Sequence, residues 1–263
     1  MVNKCINLSK KFLDWELFPM TRSSFEGRDI YRPFKYWQQA EKNINTATTE
    51  MDYIDSIINM NREVDCRMKW LNKLYQFKSM KFVNYRKNKM DSLEALRIIR
   101  STMILKLNDL RNSLEHRYTN PPNKLRCFEF LDFVWYFLKS SNYLSQNLTE
   151  IFDLESPSRN KIGPNYWVSI EPKPNENWSF LFRGWVPNHF IKKDCQSDDI
   201  EVEIESIETK EELEIKRNKK IKKTGSSDDW EGNNKNKKDF YIKGNFIGPN
   251  DVLIFITRKY FNF

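Results

Sequence analysis

Residues 125–152 read LRCFEFLDFVWYFLKSSNYLSQNLTEIF, shortly after the pair Pro121–Pro122. The stretch reads as one long helix. Its most apolar part, FEFLDFVWYFL at 128–138, carries two acids and is far shorter than the roughly 20 residues a bilayer span needs. It is therefore expected to be a buried helix, and its aromatic residues Phe128, Phe130, Phe133, Trp135, Tyr136 and Phe137 to serve core and interface.

Upstream, three further segments carry helical periodicity. Ala40, Ile44, Ala47, Met51, Ile54 and Ile58 recur at alternating steps of four and three, which predicts an amphipathic helix of about 25 residues beginning near Phe34. In REVDCRMKWLNKLYQFKSM, residues 62–80, the stripe is Val64, Met68, Leu71 and Tyr75. A third helix starts near MDSLEAL, where Asp91 or Ser92 can cap, and its stripe is Leu93, Leu96, Met103, Leu107, Leu110 and Leu114. It must stop by Asn120, because a residue before proline is pushed out of the helical region. Four long helices with short connections pack as an antiparallel bundle.

The pattern changes beyond Pro157. NYWVSI, WSFLFRGWV, DIEVEIESI, KEELEIK, DFYIKG and DVLIFITRKYF are short and rich in Val, Ile and aromatics, and Pro, Gly, Asn and Asp separate them. The expected fold class is thus α+β: an N-terminal antiparallel helical bundle at 34–155, then a small C-terminal all-β domain at 164–263, built as a sandwich or barrel. Residues 1–33, with Pro19, Gly27 and Pro33, read as an irregular N-terminal arm, and residues 216–239 as a flexible basic loop.

Bulk composition limits function only loosely. The 263 residues include 8 Trp, 11 Tyr and 19 Phe, enough aromatic area for a folded core. A net charge of +8 favours polyanionic partners, although richness in Lys, Asn, Ile and Phe also follows from an AT-rich coding sequence. Cys5, Cys66, Cys127 and Cys195 form no CxxC pair and have no histidine at ligand spacing, so neither a zinc site nor a disulfide framework is expected. The first residues, MVNKCINLSKKFLDWELFP, lack the apolar run and small-residue cleavage site of a secretion signal. Reduced thiols and a cytoplasmic location are the expectation, with no membrane, no metal and no cofactor.

The chemistry concentrates in LRNSLEHRYTNPP, residues 110–122. At 100° per residue, Asn112 and His116 project roughly 150° away from the apolar stripe of the third helix. Leu105 and Asn108 share that face, and Arg111 lies on its flank. An arginine offers a planar bidentate clamp for phosphate, and a histidine exchanges protons near neutral pH. Cleavage of RNA by its own 2′-hydroxyl needs a base, an acid and a cation, but no metal. Two symmetry-related copies of one helix face could supply base and acid together. The second histidine, His189 in WVPNHF, reads as a loop or strand-end residue, and Glu115 and Arg117 as an exposed charge pair.

RNSLEH resembles the R-x4-6-H signature of the HEPN superfamily, carried here by Arg111, Asn112 and His116, and RNSLEHRY resembles the R-x4-H-x-Y form of HEPN toxins, with Tyr118 as the extra tyrosine. The resemblance covers about residues 34–155. It implies a helical bundle that dimerises through the motif helices, and a metal-independent endoribonuclease site shared by two protomers, with tRNA or mRNA as substrate. It also implies a toxin-antitoxin or anti-phage setting, an antitoxin or nucleotidyltransferase on another chain, and Tyr118 as a possible target of AMP transfer. Compact toxins of the family lack a C-terminal domain of this size. GSSDD at 225–229 lacks the carboxylate spacing and strand context of a nucleotidyltransferase motif. Arg117, Lys219, Lys220, Lys222 and Lys223 are candidate RNA contacts. The alternative is a non-catalytic HEPN-like module for dimerisation and for binding RNA or a nucleotide.

Overall fold

A computed structural model of the chain describes residues 4–26, 28–83, 89–157, 166–192, 199–224 and 239–261. Strand β1 (Lys4–Ser9) and strand β2 (Glu16–Ser24) occupy the region expected to be an irregular arm. Helices α1 (Arg28–Asn45), α2 (Glu50–Tyr75), α3 (Lys89–Ala95), α4 (Ser101–His116), α5 (Lys124–Ser140) and α6 (Asn142–Gln146) follow. Then come β3 (Asn147–Glu155), β4 (Trp167–Lys173), β5 (Ser179–Val186), β6 (Ile191–Lys192), β7 (Asp199–Thr209), α7 (Lys210–Thr224), β8 (Phe240–Phe246) and α8 (Asn250–Phe261).

The expected architecture, a bundle followed by a small all-β domain, is incorrect. The strands form one eight-stranded sheet ordered β2-β3-β4-β5-β8-β7-β1-β6, drawn from nearly the whole length of the chain. Every pairing whose register is described is antiparallel. The chain divides into two compact units, one of Met1–Arg22 with Thr149–Phe261 and one of Ser23–Leu148. The helical unit is thus an insertion between β2 and β3, which neighbour each other in the sheet.

Local chemistry explains several of the departures. Pro19 argues against a strand, yet β2 lies at the sheet edge, where a missing N–H costs no ladder bond. The helix expected from Phe34 breaks at Thr46–Thr49, because the Asp52 carboxylate accepts from the amides of Thr48 and Thr49, each at 2.9 Å, and starts α2 afresh. Met51, on the expected stripe, is consequently exposed. At the other end of the unit, Ser141 Oγ turns back to Phe137 O at 2.7 Å and Ser145 Oγ to Asn142 O at 2.7 Å. These local bonds compete with the helix, and LTEIFDLE continues as β3 instead. The segments KEELEIK and DVLIFITRKYF, expected as strands, are helices. Thr209 and Glu212 cap α7 through Thr209 N to Glu212 Oε2 at 2.8 Å, and α8 buries Val252, Ile256 and Tyr260 at steps of four. Residues 216–224 of the expected loop belong to α7. The rest of that loop up to 238, GSSDD included, and Cys195 lie outside the described residues.

The sheet buries one continuous apolar face. Phe152, Ile170, Phe182 and Gly244 align across four strands, as do Leu154, Val168, Gly184 and Ile242. Leu8 faces Ile200, and Ile6 faces Val202. Onto this core α8 brings Tyr260, whose ring lies 6.0 Å from Phe152 and 5.6 Å from Trp178 and whose hydroxyl donates to Thr149 O at 2.8 Å. In the helical unit the core is Ala40, Ile44, Ile57, Met60, Val64, Met68, Leu71, Leu107, Leu131, Val134 and Leu138. Each such side chain contributes about 1.5–3 kcal/mol through burial, Ala40 less. Trp70 Nε1 donates to Ser145 O at 2.8 Å, and Tyr75 OH to Leu144 O and Asn147 O at 2.9 Å each, fixing α6 to α2. Among the described residues no helix is long and apolar enough to cross a membrane.

Candidate functional site

The last two turns of α4 carry the sequence motif. Ile104, Leu107 and Leu114 bury one side of the helix, and Asn61 Nδ2 donates to Leu107 O at 3.3 Å, holding α4 to α2. On the other side Asn112 and His116 are exposed, with Asn108 half-buried beside them. Arg111 is half-exposed and ion-paired to Glu115 at 2.5 Å. Its guanidinium therefore lies toward the flank carrying Glu115.

The helix ends with Arg117 N donating to Ser113 O at 3.1 Å and Thr119 N to the same oxygen at 3.4 Å. Between them Tyr118 adopts φ +52, a left-handed conformation that a side chain disfavours, and its ring is 88% exposed. Asn123 then caps α5 by accepting from Arg126 N at 2.9 Å. Leu125 and Tyr136 on α5 are each 71% exposed, and Leu105 on α4 is also exposed. Exposed apolar side chains thus lie along both α4 and α5.

The other expected site residues are dispersed. Arg117 is exposed at the end of α4, and Lys219 is exposed on α7. Lys220, Lys222 and Lys223 lie in α7, with side chains outside the described residues. His189 is exposed in a tight turn after Pro187 and meets the Phe190 ring edge-on at 4.9 Å. Among the described residues no three His, Cys, Asp or Glu side chains gather as a metal ion would require.

A second polar cluster escaped sequence reasoning. Ser56, Asn59, Glu63 and Arg67 form a buried polar stripe along α2. Glu63 and Arg67 are each 0% exposed. Arg67 Nη2 reaches Asn142 Oδ1 at 3.5 Å and its guanidinium lies 5.6 Å from the centre of the Phe34 ring. Both carboxyl oxygens of Glu63, and Nε and Nη1 of Arg67, are buried without a hydrogen-bond partner. Desolvation pushes the Glu63 carboxyl up to about 9, against the pull of Arg67. Burial also lowers Arg67, to about 10, so the guanidinium keeps its charge at neutral pH. In sequence, Glu63 and Arg67 at i and i+4 look like an ordinary surface pair, and only the packing of α1 and α5 over α2 distinguishes them.

No protein-family model, curated protein or solved structure matches the chain.

Proposed function

We propose that the chain is a metal-independent endoribonuclease of the HEPN type, acting as a homodimer on tRNA or mRNA in a toxin-antitoxin or anti-phage setting. The observation that carries this reading is the joint exposure of Asn112 and His116 on the last turns of α4, with Arg111 at their flank. The exposed apolar side chains Leu105, Leu125 and Tyr136 suit burial against a second copy of the same surface.

In the proposed reaction one His116 accepts the proton of a ribose 2′-hydroxyl as its oxygen attacks the adjacent phosphorus. The partner protomer's copy of that histidine donates a proton to the departing 5′-oxygen. One P–O bond forms and one breaks, which yields a 2′,3′-cyclic phosphate and a 5′-hydroxyl. Arg111 neutralises charge developing on the non-bridging oxygens, exchanging Glu115 for phosphate as its partner. Asn112 orients the phosphate by hydrogen bonding. Arg117, Lys219, Lys220, Lys222 and Lys223 track the RNA backbone, and Tyr118 is the position a nucleotidyltransferase partner would modify.

Purified protein incubated with total tRNA and mRNA in EDTA should yield fragments ending in 2′,3′-cyclic phosphate. His116→Ala and Arg111→Ala should each lose about 10²–10⁴-fold in rate while remaining folded dimers. Retained cleavage in either variant would exclude the assignment.

The 2.5 Å Arg111–Glu115 pair favours a second reading, because it occupies the cation that the chemistry needs. There the bundle is a non-catalytic module that dimerises and binds RNA or a nucleotide. Salt-sensitive binding without products at high protein concentration would distinguish it.

A further inference from the structure

We propose that the junction of α1, α2 and α5 is a nucleotide-binding site, formed by Phe34, Trp135 and Lys139 above the buried pair Glu63 and Arg67. The inference does not rest on the nuclease reading, and its residues are separate from Arg111 and His116.

Three features of the junction call for a ligand of this class. The first is an aromatic wall: Trp37 and Trp135 lie 4.7 Å apart, Phe34 meets Trp135 at 6.1 Å, and all three rings are half-buried. Such faces stack nucleobases. The second is cationic. Lys139, exposed, holds its ammonium 4.4 Å from the Trp135 ring centre and 5.9 Å from that of Phe34, while Arg67 lies 5.6 Å from the centre of the same Phe34 ring. With the neighbouring carboxyl neutral, these two cations leave net positive charge that an anion compensates.

The third feature is the set of orphaned groups. Two guanidinium nitrogens and both Glu63 oxygens are buried and unpartnered, and each such group costs about 1–3 kcal/mol while unsatisfied. A guanidinium matches a phosphate, and a neutral carboxyl presents one donor and one acceptor to the edge of a base. A nucleotide combines a flat ring, an anionic phosphate and a hydrogen-bonding edge. Phe34, half-buried, is a ring that lies over Arg67, and a ligand reaching the guanidinium would have to move it aside. The same chemistry is offered by a free nucleotide and by the phosphorylated end of an RNA strand.

The test is calorimetric titration of the full chain with AMP, GMP, CMP and UMP, with a 5′-phosphorylated trinucleotide, and with inorganic phosphate and the parent nucleosides as controls. At least one phosphorylated ligand should bind and outcompete phosphate. Lys139→Ala and Trp135→Leu, at positions that are not fully buried, should each weaken binding by about tenfold, and Arg67→Met by more. Binding by free nucleotides identifies a soluble ligand, and binding by the trinucleotide alone identifies an RNA end; either supports the site if Lys139→Ala and Trp135→Leu both weaken it. Absence of binding by every phosphorylated ligand, binding unchanged in either Lys139→Ala or Trp135→Leu, or inorganic phosphate binding as well as any nucleotide would overturn it.

Discussion

Replacing Glu63 by glutamine should make the helical unit more stable at neutral and alkaline pH. In the unfolded chain this carboxyl titrates near 4.5, whereas in the fold burial lifts it to about 9. Between those values folding requires uptake of one proton. The stability associated with the neutral carboxyl is complete below the unfolded value and is lost as pH rises toward the folded one. One proton corresponds to about 1.4 kcal/mol per pH unit, so raising the pH from 5 to 8 should cost the wild type on the order of 4 kcal/mol at this residue. Glutamine keeps the shape and carries no such cost. Arg67 stays charged across the window, and groups remote from position 63 titrate alike in both proteins, so they cancel in the difference. Urea unfolding followed by far-ultraviolet circular dichroism, at several pH values between 5 and 8, gives both stability curves. They should diverge with rising pH, with Glu63→Gln the more stable. Parallel curves, or a Glu63→Gln variant that is less stable at pH 8, would refute a neutral buried carboxyl.

Tyr118 adopts φ +52 with its ring almost wholly in solvent, so Tyr118→Gly should raise stability by roughly 1 kcal/mol in thermal unfolding. Gly184, at φ +153, faces the opposite case: a Cβ there would meet Trp167 O at 2.1 Å and Val168 Cα at 2.8 Å. Gly184→Ala should cost about 3 kcal/mol or more and lower the yield of folded protein, because backbone rather than a side-chain tip must yield. Tyr260→Phe deletes the hydroxyl that bonds Thr149 O and should cost about 1 kcal/mol in urea unfolding, with hydrogen exchange accelerating first around α8 and β3.

Periodicity and capping were legible one element at a time. Val64, Met68, Leu71 and Tyr75 stand at helical spacing in the sequence and are buried in α2. The Pro121–Pro122 pair requires a break after α4 because proline restricts the residue before it. Capping pairs such as Thr49 with Asp52 and Thr209 with Glu212 were also present, and they mark helix starts that hydrophobic pattern alone passes over. The angular positions of Asn112 and His116 on one helix already set them away from its apolar stripe.

Pairings between distant segments were not legible, because strand partners are chosen by registers that no local pattern encodes. KCINLS at the start of the chain becomes a strand because β6 and β7, some 190 residues on, bond its two edges. ELFPMTRSS is tolerated as a strand because the sheet ends there. DVLIFITRKYF, a continuous apolar run, suits a strand as well as a helix until its steps of four meet the sheet's apolar face. Glu63 and Arg67 follow the same logic at the level of single side chains. Their charges and spacing suit solvent, and it is the burial of α2 beneath neighbouring helices that makes one carboxyl neutral and leaves two guanidinium nitrogens unpaired. Local chemistry set the elements of this chain, whereas long-range packing set which surfaces they share and how its buried polar groups are charged.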